Sequence, residues 1–288
     1  NVGDTLGNGR VVFAFKGSGS VSNLEHVVPI GSTNFYALYT VNNNRYSTGL
    51  VVGATSSVYR AGELVDQFGY TNGVTLGSLN GGQGWTNAWR VIGPNTNVDT
   101  VVDSGNFLTF QDYWPSEAGN RFVLKTTNSD TYAAFRGIAP VTSGKIYVAA
   151  LYRREFNEGL TDGKFSGLRF MGHTIADVVA FVGERGTSGN DDIFGVSTSV
   201  GGGSGNTYGS NDSFPAGTDY LIIGRYDFDT DIMAGIYYTS AQSVPDAEPT
   251  FFVETTNSAI TEIRGISMVA GAASGWNGAV HFDELRVA

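Results

Sequence analysis

The sequence predicts an all-β protein built as a two-sheet jelly-roll sandwich, with a β-rich extension at its N-terminus. β-branched and aromatic residues run for strand-sized lengths and then stop at Gly, Asn or Asp. Gly accounts for 40 of the 288 residues, about twice its usual share of roughly 7%. No segment carries a sustained apolar stripe of helical period. A single open sheet would leave one apolar face in water, so this many strands favour two packed sheets.

The predicted strands of the main body run from residue 98 to the C-terminus. They cover 98–102, 106–110, 121–126, 131–136, 145–152, 165–171, 177–182, 192–198, 219–226, 232–239, 250–255, 262–270 and 279–287. Asn-Gly pairs at 72–73, 80–81 and 277–278 supply the positive φ angles of tight turns. The Gly-rich segment 199–213 is interpreted as a solvent loop, with a ligand-binding loop as the alternative.

A change in composition near residue 60 predicts a boundary between an extension, 1–60, and a sandwich, 61–288. The extension contains strand-like runs at 10–16, 35–41 and 45–53, and three consecutive Asn residues at 42–44 read as a hairpin turn. Alternation places Val11, Phe13 and Phe15 on one face. Three short strands are too few to be stable alone. This strand either folds back onto its own sandwich or adds to a sheet of a neighbouring copy.

Two short motifs bound the predicted sandwich. Residues 66–89 read DQFGYTNGVTLGSLNGGQGWTNAW, and the chain ends in HFDELRVA. This pairing resembles the laminin-G-like branch of the concanavalin A-like lectin/glucanase superfamily, as found in secreted bacterial proteins. The resemblance covers about residues 62–288 and implies a jelly-roll fold, in which Trp85 and Trp89 pack in the core. Relatives of this branch often bind calcium, but their ligands do not map onto this sequence residue by residue.

Charge and composition exclude several classes of partner. The net charge is −10 and the isoelectric point is about 4.7, so nucleic acid and anionic membranes would be repelled. The chain has no cysteine, so disulfides and thiolate metal sites are excluded. No apolar run reaches the length of a membrane helix, and the chain begins at Asn1 rather than Met. We therefore expect an exported, extracellular or cell-surface protein whose signal peptide has been removed.

The sequence carries no recognisable catalytic set. Glucanases of this superfamily use Glu-x-Asp-x-x-Glu on one strand, and no Glu here is followed two residues later by Asp. Glu155 and Glu158 are spaced by three, which would point them to opposite faces of a strand. His26, His173 and His281 are scattered, and no Gly-x-Ser-x-Gly elbow is present. We expect a protein that is not an enzyme.

Two further sets are candidates for ligand binding. Asp227, Asp229 and Asp231 alternate, so on an extended strand three carboxylates would share one side and could hold calcium, the one cofactor the sequence suggests. Exposed aromatic faces flanked by Asn are typical of sugar sites. The aromatic candidates and their Asn neighbour are Tyr113, Trp114, Trp276 and Asn277.

The last strand is predicted to be structural. Alternation places Phe282, Glu284 and Arg286 on one face and residues 283, 285 and 287 on the other. Glu284 and Arg286 are expected to form a surface ion pair contributing about 0 to 1 kcal/mol.

Three functions remain open from the sequence. The first is a structural or adhesive extracellular protein that assembles with copies of itself, as a filament or surface-layer subunit, through the N-terminal strands. The second is a carbohydrate-binding, lectin-like module, with or without calcium. The third is an enzyme acting on polysaccharide. The absence of a catalytic set and the β-rich extension favour the first.

Overall fold

The structure is a computed structural model that divides into two compact units, Asn1–Glu63 and Leu64–Ala288. It describes residues 4–6, 10–12, 28–29, 38–41, 44–47, 64–93, 100–103, 108, 110, 120–126, 131–155, 165–174, 176–187, 190–198, 205–209, 214–244, 248–271 and 278–288. Within this part of the chain, no helix is long and apolar enough to cross a membrane.

The unit Asn1–Glu63 contains two small antiparallel groups of strands. The first is a three-stranded sheet of β1 (Asp4–Leu6), β2 (Arg10–Val12) and β3 (Val28–Pro29). The second pairs β4 (Leu38–Val41) with β5 (Asn44–Ser47), and Val41 lies opposite Asn44. This pairing lies where the run of three Asn predicts a hairpin.

The unit Leu64–Ala288 contributes fifteen of the twenty named strands. They are β6 (Leu64–Asp66), β7 (Arg90–Ile92), β8 (Thr100–Asp103), β9 (Arg121–Thr126), β10 (Thr131–Val141), β11 (Lys145–Arg154), β12 (Phe165–Met171), β13 (Val178–Thr187), β14 (Asn190–Thr198), β15 (Gly205–Tyr208), β16 (Tyr220–Asp227), β17 (Ile232–Thr239), β18 (Val253–Thr256), β19 (Ile263–Gly271) and β20 (Gly278–Val287).

These strands form two antiparallel sheets that pack face to face as a jelly-roll sandwich. The seven-stranded sheet has the order β15-β14-β13-β12-β19-β10-β7. The eight-stranded sheet has the order β18-β17-β16-β11-β20-β9-β8, and β6 also pairs with β20. Sequence neighbours β12, β13 and β14 form a meander, whereas β19 crosses over to lie between β12 and β10. The predicted fold class is confirmed.

The main core lies between the two sheets. Val182 of the seven-stranded sheet packs against two glycines of the eight-stranded sheet, Gly224 and Gly235. A Cβ at Gly224 would lie 2.6 Å from the Val182 Cγ1 atom, so the close packing of the two layers requires glycine at this position.

Most predicted strands occur with bounds that agree to within a few residues, and those of β12 and β17 agree fully with 165–171 and 232–239. Two predictions were wrong. Leu108 and Phe110, in the run 106–110, lie outside any strand and pack on Leu151 and Leu221 at the outer face of the eight-stranded sheet. The predicted loop 199–213 contains strand β15, which pairs with β14 despite its glycines.

The prediction for the last strand was wrong in its alternation. Phe282 and Leu285 both pack in the main core, although their spacing of three would point them to opposite faces. A β-bulge explains this, because the pairing of β20 with β11 slips between Ala149 and Leu151, and Glu284 has a φ of 49°. The ion pair with Arg286 forms at 3.3 Å. It is not a surface pair, because Glu284 is only 1% exposed.

Candidate functional site

The motif at residues 66–89 folds into a buried polar cluster around Asp66, here called the Asp66 cluster. One carboxylate oxygen, Oδ2, accepts hydrogen bonds from the Tyr70 hydroxyl at 2.7 Å and from the Trp89 indole nitrogen at 2.8 Å. The same oxygen is paired with the Arg136 guanidinium, and Oδ1 accepts from the Phe68 backbone N–H at 2.9 Å. Desolvation by burial, followed by the charge of Asp66, raises the pKa of Tyr70 well above its usual range.

Arg136 lies on β10 and connects this strand to the motif at residues 66–89. Its Nε donates to the Asn87 carbonyl at 3.0 Å, and a terminal nitrogen donates to the Asn80 side chain at 2.9 Å. Its guanidinium also lies 5.1 Å from the Trp85 ring centroid. Trp89 is 1% exposed, and Trp85 packs partly buried against the core. Both tryptophans are therefore structural, as the sequence predicts.

A second buried polar cluster bridges the two sheets. The Tyr152 hydroxyl donates to Glu184 at 2.5 Å and lies 2.6 Å from the Ser166 hydroxyl. Arg154 lies 3.2 Å from the other oxygen of Glu184 and donates to the Phe214 carbonyl at 2.7 Å. Burial, and then the charge of Glu184, holds the pKa of Tyr152 well above its usual range. All of these side chains are enclosed in the core, so the cluster joins the sheets rather than offering a surface to a ligand.

The described histidines do not form a catalytic arrangement with a nucleophile. His281 is 2% exposed and lies 2.9 Å from Glu155, which also pairs with Arg121 at 3.0 Å. Burial, together with the charge of Arg121, lowers the pKa of His281 to about 4. His173 is exposed and lies 2.6 Å from Glu262.

The three aspartates predicted to bind calcium do not lie together on one strand. Strand β16 ends at Asp227, and residues 228–231 form a turn in which the Asp229 N–H donates to the Asp227 carboxylate at 3.0 Å. The three carboxylates therefore do not line one side of a strand. Asp231 has a φ of 59°, as in a left-handed turn residue. Among the described residues, no group of three or more acidic or His side chains is arranged to hold a metal ion.

The other sites predicted from the sequence lie outside the described residues. This applies to Tyr113, Trp114, Trp276 and Asn277. In the N-terminal strand, Phe13 and Phe15 also lie outside them, and for Val11 only the backbone is described. Sugar binding by these aromatic residues and assembly through the N-terminal strand both stay predictions.

The outer face of the seven-stranded sheet offers a site that the sequence did not single out. Leu168 and Phe170 point into the core, so the alternating residue Arg169 points to the outer face, at the centre of the sheet. Its cross-strand neighbours are Phe181 on β13 and Ser267 on β19. The positions on this face whose side chains are described include 90, 92, 133, 135, 165, 167, 169, 171, 181, 183, 185, 193, 195, 197, 265, 267, 269 and 271.

Two phenylalanines form the floor beside Arg169. The rings of Phe165 and Phe181 meet edge to face, with centroids 5.9 Å apart. The cross-strand glycines Gly167 and Gly183 lie next to them, and a Cβ at Gly183 would lie 2.7 Å from the Gly167 Cα. Neither position can carry a side chain without displacing backbone. Phe165, Phe181 and Arg169, together with Ala133, Val269 and Ile92, are here called the Arg169 patch.

Arg169 is the unusual member of the patch. Its guanidinium stacks 4.9 Å from the centre of the Phe165 ring. No described residue accepts a hydrogen bond from it or forms an ion pair with it, and its Nε is buried. Desolvation by burial lowers the pKa of Arg169 to about 10, so the side chain is charged at neutral pH. A positive charge is therefore held, largely out of water, without a compensating anion from the described residues.

Sequence reasoning missed this patch because its signal is not local. Arg169 stands at an ordinary alternating polar position of a predicted strand, and Phe181 and Ser267 reach it only through the order of strands in the sheet. The one local signal is the recurrence of Gly at 167, 183 and 195, which face each other across three strands.

Several solved structures resemble this fold at low sequence identity. A β-1,3-glucanase from Mycobacterium marinum aligns with a TM-score of 0.45 and 12% identity over 78% of this chain and 97% of that chain. A seed lectin of Lotus tetragonolobus aligns with a TM-score of 0.42 and 9% identity over 69% and 92%. A sialidase aligns with a TM-score of 0.47 and 11% identity, covering 91% of this chain but 22% of that one. At these scores the similarities carry no information about the ligand or chemistry of this chain.

No protein-family model matches the sequence, and no curated protein matches it. The jelly-roll sandwich is the fold expected of the concanavalin A-like superfamily. Membership of the laminin-G-like branch stays a prediction.

Proposed function

We propose that this protein is a non-catalytic carbohydrate-binding protein, and that the outer face of the seven-stranded sheet around the Arg169 patch is its binding surface. The observation that carries the proposal is the charged side chain of Arg169, which has no hydrogen-bond or ion-pair partner among the described residues and stacks on an aromatic ring. Sugar sites combine these two features, because a pyranose ring has an apolar face and a polar edge.

The Arg169 patch is more apolar than an ordinary outer face of a sheet. A sheet face turned to water normally carries polar side chains in alternation with the buried ones. Here Ala133, Phe181 and Val269 are each at most 6% exposed and form their own hydrophobic cluster, apart from the core between the sheets. This second apolar layer supports a role in recognition, since the main core already holds the two sheets together.

The side chains of this face support carbohydrate binding without hydrolysis. Glycosidases generally act with a pair of carboxyl groups on either side of the scissile bond. Among the described positions of the outer face, none carries Asp or Glu. Glu184, on the adjacent position of β13, points into the core and is held by Tyr152 and Arg154.

Affinity electrophoresis in gels containing neutral or acidic polysaccharides tests this proposal. We expect at least one polymer to retard the protein. Replacing Phe165 with Ala should weaken the retardation between about twofold and tenfold, because one aromatic contact contributes roughly 0.5–1.5 kcal/mol.

Phe251→Ala is the matched control for this experiment, because Phe251 also lies under an arginine, with the Arg225 guanidinium 4.6 Å from its ring centre. Phe251 lies on the eight-stranded side of the sandwich, so its replacement should leave binding unchanged. Equal effects of the two substitutions, or no retardation by any polymer, would contradict the proposal.

A further inference from the structure

The described part of the outer face of the seven-stranded sheet carries positively charged side chains, although the chain as a whole is acidic. The protein has 27 acidic and 17 basic residues. Arg90 and Arg169 lie on this face, and none of the side chains described there is a carboxylate. Local charge acts over short distances, because charges further apart than about 8 Å are largely screened at physiological ionic strength. An anion close to Arg169 therefore meets the positive charge of its guanidinium first.

A comparison within the molecule shows what Arg169 lacks. Arg225 also stacks on a phenylalanine, but its guanidinium pairs with Glu248 and lies 3.7 Å from Glu254. Arg169 also stacks on a phenylalanine, but it has no carboxylate partner in the described part of the chain. Stacking uses one face of a guanidinium and leaves its N–H groups at the edge, where a planar oxyanion binds through two hydrogen bonds.

We infer that the glycan bound by this protein is acidic, and that Arg169 receives a carboxylate or sulfate group of the sugar while Phe165 contacts the ring. This inference rests on the proposed function and adds the chemical class of the ligand. It also explains why a charged group is retained in an apolar patch, since a bound anion supplies the partner that the described part of the chain does not.

Arg169 itself should be dispensable for folding. A residue that holds the sheet together would destabilise the protein when replaced, whereas an unpaired, largely buried charge does not favour the folded state. The Arg169→Gln substitution is therefore expected to leave the melting temperature unchanged or to raise it. This readout separates a ligand-binding role from a structural one.

Isothermal titration calorimetry with paired polymers tests the inference. The carboxylate pair is polygalacturonate and its fully methyl-esterified form, and the sulfate pair is dextran sulfate and dextran. We expect the full chain to bind the charged member of one pair at least tenfold more tightly than its neutral counterpart. Arg169→Gln should remove that preference, and Arg169→Lys should keep part of it, because lysine retains the charge without the bidentate geometry. Arg225→Gln is the matched control and should bind as the native protein does.

The outcomes distinguish carbohydrate binding in general from binding of an acidic glycan. Equal binding of charged and neutral polymers that is lost in Phe165→Ala but kept in Arg169→Gln would overturn the acidic ligand and retain carbohydrate binding. No binding to any of the four polymers would overturn both. Tighter binding to double-stranded DNA than to every polysaccharide would also overturn the inference, since the anion would then be a phosphate. If Arg169→Gln lowers the melting temperature and leaves binding intact, Arg169 is structural and the inference fails.

Discussion

Replacing Asp66 with Ala is expected to lower the free energy of unfolding by about 3 to 5 kcal/mol, the typical cost of breaking a buried ion pair by removing one partner. The side chains of Asp66 and Arg136 are both 1% exposed. The substitution leaves the Arg136 charge in the core and also removes the acceptor of the Tyr70 and Trp89 hydrogen bonds. Urea unfolding followed by tryptophan fluorescence measures the change.

Two further variants sharpen this experiment. Arg264→Ala removes an ion pair with Glu262 whose side chains are 40% and 23% exposed, and it should change stability by no more than about 1 kcal/mol. The double variant Asp66→Leu/Arg136→Met removes both buried charges and should be more stable than Asp66→Ala. If Asp66→Ala proves no more destabilising than Arg264→Ala, the Asp66 cluster does not hold the motif in place.

This cluster shows how much of the fold the sequence could predict. The motif at 66–89 indicated a sandwich and a structural role for Trp89, and local composition was enough for both. The partner on β10, Arg136, was not foreseen, because it stands 70 residues away and reaches Asp66 only when β10 pairs with β7. Local patterns therefore predicted the elements, whereas contacts between distant residues depended on the strand order.

The wrong predictions that were based on the alternation of side chains along a strand have a common physical cause. Alternation assumes an uninterrupted strand, and the chain breaks this assumption at particular residues. In β20 the bulge at Glu284 turns Leu285 back to the core. After Asp227 the chain turns at once, so the three aspartates expected to bind calcium do not alternate along one strand. Neither a bulge nor the end of a strand changes the composition enough to be visible in the sequence.

For the candidate site, the sequence predicted the strand correctly but not the surroundings of its key side chain. Arg169 was predicted to lie on a strand, and its position on β12 is as expected. What makes it a candidate is the lack of an ion-pair partner among the described residues, together with the ring of Phe165 beneath it. Whether an arginine has a partner depends on which side chains the neighbouring strands place beside it, so the sequence of its own strand could not reveal it.

The second large effect is expected at high pH. The phenol of Tyr152 is buried beside Glu184, and burial first, then the Glu184 charge, raises its pKa well above the value of about 10 in the unfolded chain. Above pH 10 the unfolded chain therefore loses this proton while the folded protein keeps it. The unfolded state then binds fewer protons, so stability falls as the pH rises, by about 1.4 kcal/mol per pH unit for this one group. Urea unfolding at pH 7 to 12 measures the slope.

Tyr152→Phe isolates this contribution. At pH 7 the variant should be less stable than the native protein by about 1 to 3 kcal/mol, because Glu184 loses a hydrogen-bond donor. Above pH 10 the difference should shrink by about 1.4 kcal/mol per pH unit, since phenylalanine has no proton to lose. Tyr220 and Tyr226, whose pKa values burial raises to about 12, are present in both proteins and cancel from the difference.

Ser166→Ala is the matched control for this pH dependence. The Ser166 hydroxyl lies 2.6 Å from the phenol oxygen, and because that phenol donates its proton to Glu184, Ser166 must be the donor to Tyr152. Its removal costs one hydrogen bond, about 1 kcal/mol, and leaves the titrating group in place. The stability difference between Ser166→Ala and the native protein should therefore stay nearly constant from pH 7 to 12. A constant difference for Tyr152→Phe over the same range would show instead that Tyr152 does not carry the alkaline loss of stability.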